Sequence, residues 1–223
     1  ALKNSGYDLK KMIVILATES RGGEESRATA KKIESEFGAI FGSFLTTFHP
    51  DNIAGEIRGK GANQSWAARQ AKEIIVDPKK INYDDIIVSV FDIDTCVLPS
   101  FFHCLAHRFL TVKDPHRASY QPIPVYHNNL WSANFLARLA ATSNTFWQMM
   151  QQIRSERLAT YSSHSLSWRA LVDIDFWGTN MVSEDSRVFW HCLAFYHGDY
   201  RVEPLYFPVS MDVCQAENFF STI

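Results

Sequence analysis

Residues 86–91 read Ile-Ile-Val-Ser-Val-Phe, an apolar run of the length and β-branched content found in strands covered on both faces. It runs directly into Asp92-Ile93-Asp94-Thr95. Side chains alternate faces along a strand, so if the extended pattern persists, Asp92 and Asp94 point the same way. Two carboxylates on one side make an oxygen-ligand site for a hard divalent cation, which could in turn hold a diphosphate. The spacing alone proves little, because Asp is also a common turn residue. Asp173-Ile174-Asp175 repeats it without a long apolar strand in front.

What precedes this run alternates strand and helix patterns. Lys11–Ala17 is a second continuous apolar run, closed by the loop Thr18-Glu19-Ser20-Arg21-Gly22-Gly23. Glu24–Phe37 then carries Ala28, Ile33 and Phe37 among charges, the pattern of a helix with one apolar side that Gly38 can end. Ala39–Phe48 reads as another strand, and a polar loop with Gly55, Arg58, Gly59, Lys60 and Gly61 leads into a helix predicted over 62–75. Glycines let a backbone approach a ligand, a helix start offers unpaired N–H groups, and Lys60 adds a positive charge, so this loop suits a phosphate. It does not match the Walker A spacing. Strand, helix, strand, helix, strand implies parallel pairing with right-handed crossovers, with ligands bound beyond the carboxyl ends of the strands. The expected class is therefore α/β, with a central, mostly parallel sheet flanked by helices.

After Asp94 the pattern changes. Pro99 can open a helix to about Leu110 that carries His103 and His107 at i, i+4, a spacing that could bind zinc but lacks a third ligand, so packed or solvated histidines are expected. Ala118–Tyr126, with Pro122 and Pro124, reads as an edge strand. A long helix is expected over about 131–158, with Phe135, Leu139, Phe146, Met149, Met150 and Ile153 in the core. Ser183 is placed to cap a helix over 187–196, with Glu184 and Asp185 in its first turn, and Arg201–Pro208 is a last strand.

Composition excludes several classes. With Lys+Arg 22 against Asp+Glu 24 and no block of like charge, nothing tracks a nucleic-acid backbone. Cys96, Cys104, Cys192 and Cys214 have no CxxC spacing, so buried free thiols in a reducing compartment are expected rather than bridges or a zinc ribbon. No apolar run reaches the length of a membrane span, and no leader is evident. The chain starts without Met and is read as a piece of something longer, truncated at both ends.

The order of these pieces resembles the family 2 glycosyltransferases, inverting enzymes of the GT-A (Rossmann-like) fold that use nucleotide-sugar donors. The resemblance covers nearly the whole chain, as a single domain with a nucleotide-sugar-binding half over 1–95 and an acceptor-binding half over 96–223. Ile13–Arg21 is similar to the family's first strand and nucleotide-contacting loop, which implies donor contacts from Ala17, Thr18 and Glu19. Lys60-Gly61-Ala62-Asn63 is similar to its Lys-x-x-Asn element, implying Lys60 and Asn63. Asp92-Ile93-Asp94 is similar to its metal-binding DxD, implying Asp94 and Asp92 as ligands of Mn²⁺ or Mg²⁺, with Asp92 also near the donor. Ser183-Glu184-Asp185 is similar to the second acidic motif, implying Asp185 as catalytic base and Glu184 beside it. Two features depart from the pattern. The second strand ends in Phe-His-Pro with Asp51 only beyond it, and Gln215–Phe219 is not the Gln-x-x-Arg-Trp motif of processive members.

The resemblance implies a hexosyltransferase-type reaction, transfer from a nucleotide-sugar to a saccharide or lipid-linked acceptor. It also implies a cytoplasmic-side location, with membrane attachment through flanking segments. Gln121, Asn128, Asn129, Trp131 and His164 are of the type that contacts sugars. Two other readings use the same aspartates: a nucleotidyltransferase that makes an activated sugar, for which Ser20-Arg21-Gly22-Gly23 is a faint version of the required loop, and a non-catalytic nucleotide-sugar-binding domain with an idle Asp185.

Overall fold

The computed structural model describes residues 1–214, so Gln215–Phe219 lies outside the described residues. In chain order the first elements are β1 (Ile13–Glu19), α1 (Gly23–Phe37), β2 (Ser43–His49), α2 (Lys60–Ala71), β3 (Ile87–Ser89) and β4 (Cys96–Val97). They are followed by α3 (Phe101–Thr111), β5 (Ala118–Tyr126), α4 (Phe135–Ile153), β6 (Ser165–Ser167), α5 (Trp168–Asp173), α6 (Glu184–Phe195) and β7 (Arg201–Met211). The chain is mixed α/β and forms two compact units. One holds residues 8–86 and 168–195, the other 1–7, 87–167 and 196 onward, so the backbone passes between them four times.

The unit of 8–86 and 168–195 carries a two-stranded parallel sheet, with β1 and β2 in register from Ile13 opposite Ser43 to Glu19 opposite His49. Helix α1 supplies the crossover, and Glu24 and Glu25 in its first turn suit the helix dipole. Helix α2 packs on both strands and buries the small residues Gly61, Ala62, Ala67, Ala68 and Ala71. It starts at Lys60, two residues earlier than expected, and its last turn widens into a π-helical turn over Lys72–Val76 before Asp77-Pro78 ends it.

The other unit carries a five-stranded mixed sheet in the order β3-β6-β5-β7-β4. Only β5 and β7 are parallel to each other; β3–β6, β6–β5 and β4–β7 are antiparallel. This corrects the expected single, mostly parallel sheet. The run 86–91 makes only a three-residue edge strand, paired with β6 rather than with β1 or β2. The Val90 N–H still reaches the His164 carbonyl at 3.0 Å, but Phe91 then joins Phe101 and Phe102, with ring centroids 5.8 and 6.2 Å away. Aromatic packing there takes over from the ladder.

Strand β5 has the predicted bounds but lies inside the sheet, not at its edge. Its prolines are tolerated because β6 covers it only at Ser119 and Tyr120, so Pro122 and Pro124 lie beyond that ladder. Pro122 also falls at the register shift between Gln121 and Ile123 opposite β7. The main core of this unit sets Phe101, Leu105 and Phe109 of α3 against Ala118 and Tyr120 of β5 and Leu205 and Val209 of β7.

At the rim of that core, buried Glu203 on β7 accepts from Arg108 at 2.6 Å and from Arg201 at 2.5 Å. Burial pushes its carboxyl up, but the two guanidinium hydrogen bonds and their charges outweigh this and hold it below the ordinary glutamate value of 4.5. A folded pKa below the unfolded one contributes stability that is present above that value and is lost as pH falls through the folded one. Both arginines are partly exposed, so the ion pairs are screened. Glu203→Gln is therefore expected to cost about 1–2 kcal/mol at neutral pH and to flatten the acid limb of the stability curve. Urea melts of both proteins across that limb check this. Parallel curves would show that Glu203 does not carry the acid sensitivity.

Helix α4 departs furthest from expectation. It is shorter than 131–158, with the Asn134 Oδ1 accepting from the Ala137 N–H at 2.9 Å as its N-cap. Phe135, Leu139, Phe146, Met149, Met150 and Ile153, expected in the core, are all exposed, and the helix buries Ala137, Ala141, Gln148 and Gln152 instead. All four cysteines are free, but only Cys192 is buried and Cys96 and Cys214 are exposed, against the expectation of buried thiols. Among the described residues no helix is long and apolar enough to cross a membrane.

Candidate active site

In the unit of 8–86 and 168–195, three stretches far apart in sequence meet at the carboxyl end of β1. Ala17, Thr18 and Glu19 end that strand. The Thr18 hydroxyl donates to the Thr47 carbonyl at 2.7 Å, tying the strand end to β2, and Glu19 is ion-paired with Arg21. The Asn63 side-chain amide, from the first turn of α2, donates to the Ala17 carbonyl at 3.3 Å. Lys60, the first residue of α2, places Nζ 2.8 Å from Asp185 Oδ2 in the first turn of α6. Glu184 beside it is buried.

Gly61 explains how the starts of α2 and α6 come so close. A Cβ at that position would lie 3.0 Å from the Glu184 Cβ and 3.0 Å from the Gly178 carbonyl oxygen. A larger residue would require these neighbours to give by a few tenths of an ångström. The sequence-predicted residues Ala17, Lys60, Asn63, Glu184 and Asp185 thus form one cluster, with a cation, a carboxylate and a buried carboxyl group arranged around two helix N-termini, where N–H groups favour anions.

Asp92 and Asp94 belong to the other unit. They do not share a strand face, because the strand has ended and the Thr95 N–H closes a turn on the Asp92 carbonyl at 2.9 Å, leaving Ile93 94 % exposed between them. The turn lies by the paired carboxyl ends of the parallel strands β5 and β7, where Tyr126 stands opposite Met211. There Asp94 Oδ2 accepts from the Asp212 N–H at 3.0 Å, and the Asp94 carbonyl accepts from the Asn128 amide at 3.0 Å. The Ser162 hydroxyl donates to Asp92. The Tyr126 phenol is pushed up, first by burial, then by Cys214, and further by Asp92 and Asp94, against a lowering hydrogen bond to Asn144.

Among the described residues no group of three or more His, Cys, Asp or Glu side chains is gathered as for a metal cage. Two carboxylates nevertheless suit Mg²⁺ or Mn²⁺ of a particular kind, since such ions are commonly held by one or two protein carboxylates with substrate phosphates and water completing the shell. Ser162 donates to Asp92 and the Asp212 N–H to Asp94, the kind of support that orients ligating carboxylates.

Other sugar-contact candidates separate clearly. Gln121 and His164 are fully buried, Gln121 accepting from the Tyr161 N–H at 2.8 Å and His164 placing Nδ1 2.9 Å from the Tyr161 carbonyl, so both serve the fold. Asn129 brackets Val213 through its amide and carbonyl, and Trp131 is exposed. His103 sets its ring edge-on to Tyr7 with centroids 5.1 Å apart, as expected of a packed histidine. Asp175, in the second DxD spacing, takes a left-handed conformation and pairs with Arg69 at 2.8 Å, whose hydrogen bond holds its carboxyl below the ordinary range. Sequence reasoning missed Ser162, Asp212 and Gly178. Ser162 sits in the polar run 160–167, a signal too diffuse to single it out, while Asp212 and Gly178 act through backbone atoms that leave no side-chain signature.

No protein-family model and no curated protein matches this chain.

Proposed function

We propose that this chain is a glycosyltransferase of the GT-A type, transferring a sugar with inversion from a nucleotide-sugar to an acceptor hydroxyl with the help of a divalent cation. The observation that carries the reading is the meeting of Lys60, Asn63, Glu184 and Asp185 at the end of β1, because those residues come from two of the four motifs that carry the resemblance, meet at a third through Ala17, and span 125 residues from Lys60 to Asp185. A nucleoside diphosphate leaves poorly unless its charge is neutralised. The resemblance assigns to Asp94 and Asp92 a cation that would act as a Lewis acid, and to Lys60 the support of phosphate charge. The acceptor hydroxyl is a weak nucleophile, and Asp185 is the group assigned to take its proton. Glu184, held under Gly61, would fix the position of the neighbouring base.

The test is calorimetric binding of UDP and GDP, with and without Mn²⁺, to the wild type and to Asp94→Ala. Metal-dependent binding of one nucleotide is expected, weakened at least about 100-fold in the variant, since a metal ligand outweighs the outer-shell groups whose loss already costs about 10- to 100-fold. Equal, metal-independent binding by both proteins would remove the donor-site reading.

A further inference from the structure

Helix α4 is amphipathic in the inverse sense to a helix of a globular core. Its inward face, which packs on β5 and β7, is made of Ala137, Ala141, Gln148 and Gln152, and Gln152 Oε1 even accepts from the Tyr206 N–H at 3.4 Å. Its outward face presents Phe135, Leu139, Phe146, Met149, Met150 and Ile153, of which Phe135 and Ile153 are 68 % and 69 % exposed. Trp147 widens this face, and Trp131 extends it beyond the helix start at 88 % exposed. Eight of the chain's exposed large hydrophobic residues thus fall within 131–153. This face is interrupted by the exposed Thr142 and Ser143, but an apolar surface of this extent marks an interaction site.

Two features choose the occupant. At about 100° per residue, the exposed apolar positions from Met149 round to Trp147 span an arc of roughly 160°. That is wider than the narrow a/d seam that would bury the helix against one partner helix. The charges point the same way. Helix α4 contains no acidic residue and one basic one, Arg138, and just beyond its end Arg154 and Arg157 share the single acid Glu156 as ion-pair partner, which leaves the segment net basic in a chain whose formal net charge is -2. A broad face of aromatic, Leu, Met and Ile side chains with a basic fringe is the composition of a helix lying in a headgroup layer. It is not hydrophobic enough to cross.

We propose that the outward face of α4 docks on an anionic lipid bilayer, with its aromatic side chains in the headgroup and acyl boundary and Arg138, Arg154 and Arg157 against the lipid phosphates. This attachment lies in the chain itself and needs no flanking span. It is also independent of the donor-site reading, because it requires neither nucleotide nor metal.

Flotation tests it, using vesicles of phosphatidylcholine alone and of phosphatidylcholine with phosphatidylglycerol at about three to one, a mixture that gives the surface a negative potential. The wild type is expected to float with the mixed vesicles and much less with the neutral ones. Leu139→Gln with Phe146→Gln keeps good helix formers at exposed positions, leaves the fold intact by circular dichroism, and should lower partitioning about tenfold or more. Arg154→Gln with Arg157→Gln should reduce binding to the mixed vesicles towards the neutral-vesicle level. Failure of the wild type to float with either vesicle, or undiminished flotation of the Leu139/Phe146 variant, overturns the proposal. So does a concentration-dependent dimer that the same variant abolishes, since the face would then be covered by a second copy.

Discussion

With Asp185 as the base of the proposed glycosyltransferase reaction, Asp185→Asn is expected to lower sugar transfer by about 10²- to 10⁴-fold, the range that a positioned general base contributes. The substitution is close to isosteric, and the asparagine carbonyl can still accept from Lys60 Nζ, which stands 2.8 Å from the native carboxylate. What is lost is the capacity to take a proton. The fall should therefore appear in kcat, with nucleotide affinity close to that of the wild type, because an interaction made only in the transition state has been removed. Donor hydrolysis, with water as acceptor, should fall in parallel. Lys60 pairs with Asp185 in the free protein and is proposed to meet the diphosphate when donor is bound, so nucleotide binding to the Asn variant reports whether the ion pair competes with the donor. Unchanged turnover would show that another group takes the proton and that Asp185 serves only to hold Lys60.

How much of this could be read from the sequence depends on what each signal encodes. Continuous apolar runs bounded by turn residues gave β1 and β2 to within a few residues, although every residue of β1 and all of β2 but Thr47 are only partly buried. The run 86–91 looks the same but forms only a three-residue edge strand, since hydrophobicity does not say which neighbour a strand will choose. The motifs around Lys60 and Asp185 were legible as residues, while their meeting was not. That meeting depends on Gly61 and on the Gly178 carbonyl, a close approach of backbones that no pattern of side chains records. For Asp92 and Asp94 the argument from strand alternation fails, and a turn presents them instead. Helix α4 shows the limit of periodicity itself: the spacing of Phe135, Leu139, Phe146 and Ile153 defines one face correctly, yet a period carries no information about whether that face meets protein or something else.

The second large effect concerns Gly42, at the entry to β2, and it is an effect on folding rather than on chemistry. The Gly42 N–H donates to the carbonyls of Leu9 and Met12, each at 3.0 Å, so the chain before β1 and the chain before β2 are clamped at one point. A Cβ there would sit deep inside contact distance of the Lys10 carbonyl oxygen, a backbone atom that cannot swing aside as a side chain would. Gly42→Ala is expected to cost about 3 kcal/mol, at the upper end of what overpacking does, because relief requires the two segments to separate and give up those hydrogen bonds. For a chain of this size that is a fall of roughly 6–12 °C in Tm, readable by thermal circular dichroism. The clamp sets the register from Ile13 opposite Ser43 to Glu19 opposite His49, and so the placement of Ala17, Thr18 and Glu19 at the strand end. An unshifted Tm would mean that the segment before β1 yields without cost, and that the strand pair owes its register to the ladder alone.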